Sequence, residues 1–320
     1  MRENPSKVLI TGATGWLGRE TVARVLEGKI DGISETDLVL ASSNGRDLDL
    51  DSLGIFATSA LTEFSDAKSM DVTGGIVHLA FITKDKTAKY SFSEYVAKNI
   101  ELISAACKII EREKPKWVVV VSSGAIIDRA TLEIENNVIS NPYGFCKRIE
   151  EALISESTRK VGANIVIGRL WGGTGLYMPI KRAYAISDFI ESAKEKNAIR
   201  INSGGDVIRR YCDAGDFMEV LVKAALEGHT TTIDSGGSII EVGELAKLIS
   251  SRMGEIPISR SETPTPIDDY YPRGSKFEEL AKLVGVQLHG MDEQVLRTLK
   301  SHKVQTLGRV YSSTLKENHE

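Results

Sequence analysis

Thr11-Gly12-Ala13-Thr14-Gly15-Trp16-Leu17-Gly18 follows directly on the apolar run Val8-Leu9-Ile10. Three glycines recur at every third position, where a short buried strand hands over to a helix. Gly12 and Gly15 carry no Cβ, which permits a tight turn and a close approach of backbone to a ligand, and Gly18 lets the helix pack tightly on the strand. The N–H groups at the helix start, at Trp16 and Leu17, and the partial positive charge there suit a diphosphate. The stretch reads as a dinucleotide cradle. Its place after a strand carries that reading, because short glycine patterns also arise by chance.

Strand and helix patterns alternate along the rest of the chain. Residues 8–11, 38–41, 76–79, 117–121 and 165–170 read as strands, and 16–27, 93–113 and 142–160 as helices. Trp117–Val121 is nearly all Val, as in a strand buried on both faces of a parallel sheet. Tyr95, Leu102, Ile103, Ala106, Ile109 and Ile110 form a helical apolar stripe that Pro115 brings to an end. Residues 48–70 show no decisive period. This order predicts an α/β fold, a doubly wound parallel sheet of Rossmann type with helices on both faces. After Arg169 the texture changes at the breaker cluster Gly172-Gly173-Thr174-Gly175. A helix over 185–196, a strand over 199–201 and helices over 216–227, 242–253, 276–284 and 292–301 follow. The expected division is a dinucleotide-binding domain over 1–170 with a return segment at 205–235. Residues 171–204 and 236–320 are then a smaller, mixed substrate-binding region, and the chain is expected to fray beyond Ser312.

The composition excludes several classes of function. Lys and Arg number 40 against 44 acidic residues, and the net charge of −4 comes with no basic block, so nucleic acid is not an expected partner. No apolar stretch approaches the length of a membrane span. Met1-Arg2-Glu3-Asn4-Pro5 lacks the apolar centre of a signal peptide, so a cytoplasmic location is expected. Cys107, Cys146 and Cys212 are scattered without metal-type spacing and read as reduced thiols; no metal is expected.

Ser122-Ser123 closes the Val-rich strand, and Tyr143-Gly144-Phe145-Cys146-Lys147 opens the next helix. Tyr143 and Lys147 are four apart and share a helix face. An ammonium beside a phenol favours the phenolate and is expected to lower the Tyr143 pKa toward neutrality, for proton transfer at a carbinol oxygen. Ser123 is placed to hold that oxygen. The same spacing recurs at Tyr177 and Lys181, but Pro179 between them argues against a regular helix face there. For Tyr143 and Lys147 the competing assignment is a surface pair on an amphipathic helix.

With these residues in view, the sequence resembles the extended short-chain dehydrogenase/reductases of the NAD(P)-dependent epimerase/dehydratase type, which act on nucleotide sugars. The resemblance covers nearly the whole chain. It rests on Thr11–Gly18, His78-Leu79-Ala80 after the fourth strand, Asn99 in the long helix, Ser122-Ser123, Tyr143 with Lys147, and Arg209-Arg210-Tyr211 shortly before Asp216. It implies that Ser123, Tyr143 and Lys147 are catalytic, that Asn99 supports a proton relay through Lys147, and that Leu79 and Ala80 line the cofactor with backbone. His78 reads as a satisfied structural histidine rather than a base. Arg209 matches a position that contacts the nucleotide or diphosphate of the substrate; a salt bridge with Asp206 or Asp213 is the competing assignment. Arg273 is a second candidate for the diphosphate. A homodimer through helices 93–113 and 142–160 is also implied.

The sequence departs from this family's pattern in several places. NAD-preferring relatives place an acid at the end of the second strand. Here Ser42, Ser43 and Arg46 stand there, which favours NADP over NAD unless Asp47 or Asp49 falls at that position. Dehydratases of the family carry an Asp-Glu pair after the catalytic Ser or Thr, whereas this chain has Gly124-Ala125. That leaves hydride transfer by an epimerase or a ketoreductase. Gly172 replaces an Asn that helps anchor the sugar, and Phe81 adds bulk near the nicotinamide, with Thr83 close enough in sequence to touch the substrate. Two alternatives stay open: a reductase of a non-nucleotide carbonyl compound, and a non-catalytic NADP-binding sensor or scaffold.

Overall fold

The computed structural model describes residues 6–303, apart from 70, 129–130, 132, 136, 138 and 181–183. Lys181 of the second Tyr/Lys pair, and the segment expected to fray, lie outside the described residues. Seven parallel strands form the main sheet: β1 (Val8–Thr11), β2 (Leu38–Ser42), β3 (Ser59–Ala60), β4 (Gly75–His78), β5 (Trp117–Ser123), β6 (Asn164–Leu170) and β7 (Thr231–Asp234). Their spatial order is β7-β6-β5-β4-β1-β2-β3. The order reverses between β1 and β4, so a crevice opens there at the carboxyl edge, the usual ligand position of such sheets. Thr11 is in register with both Ala41 and His78, and Ser123 with Leu170.

Helices cover both faces. On one face α3 (Phe92–Glu113) and α4 (Pro142–Val161) bury Ile103, Ile109, Ile110 and Ile154 against Leu9, Ile76, Val118, Val120 and Ile167. On the other, α1 (Trp16–Leu26) is tied to α5 (Ala214–Leu226) by a buried Arg24–Asp216 ion pair at 2.8 Å. Gly168 on β6 is required on that face. A Cβ there would lie 2.4 Å from Leu221 and 2.6 Å from Phe217. The indecisive stretch 48–70 resolves into the short antiparallel pair Leu48–Asp49 and Ile55–Phe56, the edge strand β3, and a helix α2 (Leu61–Asp66). Each piece is too short to show a period.

The chain divides into two compact units, Met1–Trp171 with Gly215–Ser235 and Ser275–Gln287, and Gly172–Ala214 with Gly236–Gly274 and Leu288–Glu320. The return segment thus begins at Gly215 rather than 205, and Ser275–Gln287 joins the first unit, where Phe277 stacks on Phe217 at 5.8 Å between centroids. In the second unit, the glycine cluster expected only to break structure includes a strand. Gly173–Thr174 pairs in parallel with Cys212–Asp213. The reason is steric: a Cβ on Gly172 would lie 2.5 Å from the Arg210 carbonyl oxygen, so only glycine permits that approach.

Candidate active site

The carboxyl edge gathers the ends of β1, β2, β4 and β5. Gly12 turns the chain after β1 with φ +69°, and a Cβ there would meet the Leu79 carbonyl carbon and oxygen at 2.8 Å. A Cβ on Gly18 would lie 2.5 Å from the carbonyl oxygens of Gly12 and Ala13. Glycine is therefore needed at both positions. Gly15 is the N-cap of α1; no side chain caps that end and no acid stands in its first turn. A helix start that no carboxylate neutralises, behind a backbone-lined turn, fits a dinucleotide diphosphate.

Thr11 organises the neighbouring strand end. Its Oγ1 accepts hydrogen bonds from the Leu79 and Ala80 N–H groups at 3.1 and 3.2 Å. With both lone pairs used, its hydroxyl donates to His78 Nδ1 at 2.9 Å. His78 therefore carries its proton on Nε2, which lies 3.5 Å from Glu150 Oε1. Leu79 and Ala80 stand beside the glycine turn, but their N–H groups serve Thr11. Burial, with the Lys147 charge adding, pushes His78 down to about 3, so it stays neutral and structural in the fold.

Ser42 is engaged within its own loop. Its buried Oγ shares a 2.7 Å hydrogen bond with Thr58 Oγ1 and accepts the Arg46 N–H at 3.1 Å. These bonds shape the loop after β2. Ser43 and Arg46 are exposed, and β2 ends at Ser42, before Asp47 and Asp49.

Ser123 ends β5, where its Oγ accepts the Ala125 N–H at 3.1 Å and caps a short 3-10 turn. Asn141, not singled out in the sequence, locks α4 onto that turn. Its Oδ1 accepts the Gly144 N–H at 2.9 Å and its Nδ2 donates to the Ala125 carbonyl at 2.6 Å. An Asn N-cap ahead of Pro142 is the signal by which it could have been found. A Cβ on Gly144 would lie 2.4 Å from the same carbonyl, so the residue after Tyr143 has to be glycine for α4 to sit this close. This brings the Ser123 hydroxyl beside the Tyr143 phenol, where it favours the phenolate.

The expected lowering of the Tyr143 pKa is not found. Burial pushes it up to about 12, the neighbouring Ser123 hydroxyl works against that rise, and Glu150 and Asp85 add to it. The ammonium of Lys147 is directed elsewhere. It donates to the Val121 carbonyl and to Glu150 Oε2, both at 2.7 Å, and sits 3.8 Å above the Phe81 ring, which meets Tyr143 edge-on at 5.8 Å. Asn99 is not brought to Lys147 either. It is fully buried, accepts the Ile82 N–H at 2.9 Å and donates to the Tyr95 carbonyl at 3.1 Å, fixing the loop after Ala80. Thr83 donates to Asp85 at 2.6 Å.

Arg209 and Arg273 belong to the second unit. Arg209 pairs with neither Asp206 nor Asp213. It donates to the Asp268 carboxylate at 2.5 Å and to the Asp268 carbonyl at 2.9 Å. Asp213 takes Arg297 instead, at 2.8 Å. The exposed Arg273 pairs with Asp269 at 2.6 Å and lies over the Tyr271 ring.

His78 gives a pH signature. Unfolded, it takes up a proton near its ordinary value of 6.5; folded, only near 3. Between those values the unfolded chain binds more protons, so the contribution of His78 to stability is lost as pH falls from about 6.5 toward 3. Urea unfolding across that range is expected to show a shallower acid loss in His78→Asn, whose amide oxygen can still accept from Thr11.

A Rossmann-type sheet with a glycine cradle at its switch point defines a dinucleotide-binding protein. The profile of the NAD dependent epimerase/dehydratase family matches residues 8–243, and the chain belongs to that family of NAD-dependent enzymes. Among curated relatives, UDP-glucuronic acid decarboxylases 3 and 6 of Arabidopsis thaliana are 26% and 27% identical over 142 residues. Those matches span 43% of this chain and 41% of the relatives' own length. The fold is similar to UDP-N-acetylglucosamine 4-epimerase from Methanobrevibacter ruminantium M1, with a TM-score of 0.72, 16% identity, and 94% and 99% of the two chains covered. It is also similar to the dTDP-glucose 4,6-dehydratase DesIV of Streptomyces venezuelae, with a TM-score of 0.70, 16% identity, and 97% and 99% covered. Among the described residues no helix is long and apolar enough to cross a membrane.

Proposed function

We propose that this chain is a nucleotide-sugar epimerase or 4-ketoreductase that moves hydride at a sugar carbinol, with Ser123, Tyr143 and Lys147 as its catalytic residues. The supporting observation is that Ser123 and Tyr143 lie together on the sheet edge that carries the glycine cradle, with Lys147 one turn further along α4. When bound, the nicotinamide dinucleotide supplies or accepts the hydride. The chain's own part is to hold the carbinol oxygen between Ser123 Oγ and Tyr143 Oη and to pass the phenolic proton to or from it. A dehydratase is disfavoured at Gly124 and Ala125. Gly124 leaves no room for an acid, since a Cβ there would lie 2.3 Å from the Trp171 ring, itself fixed by a 2.8 Å hydrogen bond to Asp234.

NADP is the favoured coenzyme, with Ser43 and Arg46 as its 2′-phosphate contacts, because the tip of β2 carries no acid. Hydrogen bonds to a charged group contribute about 1.5–3 kcal/mol, so Arg46→Ala is expected to weaken NADP binding about tenfold or more and leave NAD binding unchanged. Calorimetric titration with each dinucleotide checks this; equal losses for both would assign Arg46 elsewhere. Exposed Phe92 and Leu153 on α3 and α4 support a homodimer through those helices, and three free thiols support a cytoplasmic location. The dinucleotide-binding role goes to the first unit and the substrate-binding role to the second, through Arg209 and Arg273.

One observation favours a second reading, a reductase of a non-nucleotide carbonyl compound. Asp268 already holds the Arg209 guanidinium expected to meet a diphosphate. A thermal-shift screen of nucleotide sugars with NADP or NAD present separates the two. Saturating ligand raises stability by about 2.7 kcal/mol at a hundredfold excess over Kd. A dinucleotide shift without any nucleotide-sugar shift selects the second reading, and no dinucleotide shift at all overturns both.

A further inference from the structure

Glu150 is the buried ionisable group in this site that neither the glycine cradle nor the Ser123–Tyr143 couple accounts for. It lies on α4 three residues after Lys147 and has no solvent exposure. One carboxyl oxygen accepts the Lys147 ammonium at 2.7 Å; the other lies 3.5 Å from His78 Nε2. Thr11 fixes the His78 tautomer, so the His78 N–H lies on the side of that second oxygen, close to it but without a hydrogen bond. The Val121 carbonyl and the Phe81 face occupy the remaining sides of the ammonium.

We propose that Glu150 is a positioning residue that takes Lys147 as its counter-ion and so limits how far that ammonium can favour the Tyr143 phenolate. This rests on the reading of Ser123, Tyr143 and Lys147 given above. In the reductive direction a bound reduced nicotinamide dinucleotide would supply hydride to the carbonyl carbon, and the C=O π pair would move onto oxygen. That oxygen takes the Tyr143 proton and leaves a phenolate, which water reprotonates. Starting in the oxidative direction would require the phenolate first. A free ammonium beside Tyr143 would favour the phenolate, whereas in the alkaline range, where the Glu150 carboxyl is ionised, a Lys147–Glu150 pair has no net charge to do so. Burial pushes Glu150 itself up to about 7, and Lys147 works against that rise. The other groups acting here are Glu151 and Cys146 on α4, His78 from β4, and Asp85, which acts on Tyr143.

The test reads Tyr143 directly and needs neither cofactor nor turnover. Tyrosinate absorbance is titrated in the wild type and in Glu150→Gln, each against the same protein carrying Tyr143→Phe, so the difference isolates Tyr143. In the wild type no Tyr143 signal is expected before alkaline unfolding. In Glu150→Gln it is expected at least one pH unit below unfolding, about a tenfold or greater gain in phenolate at a given pH. Glu150→Leu, which buries no amide, serves if the Gln variant does not fold. Absence of the Tyr143 signal in the folded variant, or its presence in the wild type at the same pH, overturns the proposal. Failure of the catalytic reading shows separately, as turnover that survives Tyr143→Phe.

Discussion

Tyr143→Phe is expected to lower turnover about 10²- to 10⁴-fold, the usual contribution of a positioned general acid or base, and to leave dinucleotide affinity unchanged. The change removes one oxygen atom and keeps the ring, so the edge-on contact with Phe81 persists. Ser123 stays bound to the Ala125 N–H, and Asn141 still holds α4 against the turn after β5. What is lost is the proton that meets the carbinol oxygen as hydride moves. The glycine cradle lies after β1, on a different strand, and no cradle residue depends on the phenol. Dinucleotide titration followed by steady-state oxidation or reduction of the coenzyme checks both halves. Turnover kept above about a tenth of wild type would show that another group moves the proton.

Gly12→Ala is expected to cost about 2–5 kcal/mol of stability and to abolish dinucleotide binding. Two effects add. The left-handed backbone, φ +69°, costs an L-residue about 1–2 kcal/mol. The new methyl would also sit 2.8 Å from the Leu79 carbonyl carbon and oxygen and 2.9 Å from the Ala80 nitrogen. Those atoms are backbone and cannot rotate away, so the turn after β1 and the segment after β4 must separate, a shift that typically costs about 1–3 kcal/mol. Gly28 provides the control. It has φ +66° but nothing within 4 Å of its Cβ position, so Gly28→Ala is expected to show the conformational part alone. Urea unfolding of the two variants separates the terms. Equal losses would show that the Leu79 backbone moves aside freely.

Much of this fold was legible residue by residue. The Val-rich run of β5 can be buried on both faces only inside a parallel sheet, and the glycine turn after β1 has few other uses. Helix ends were marked by local chemistry: Pro115 just beyond α3, Pro142 at the start of α4. Residues 48–70 were opaque because two-residue strands have no period, and Gly173–Thr174 because a strand of that size depends wholly on its partner. Within the site, Ser123 and Tyr143 are legible as neighbours from the strand end and the helix start that carry them. Ser42 and Asn99 bond to their own backbone, a role that a polar side chain on a site element does not disclose in one dimension.

By itself the sequence determined the sheet, the cradle and the identity of the groups that can move a proton, because those follow from spacing along single elements. The tertiary structure alone decided how those groups are charged and aimed. It set Glu150, rather than a bare phenol, against the Lys147 ammonium, and closed the far side with His78 from β4. It also gave Arg209 to Asp268 in place of its nearer acids. Coulomb interactions and desolvation depend on distance through space and on what covers a group, and neither is written in the order of residues along the chain.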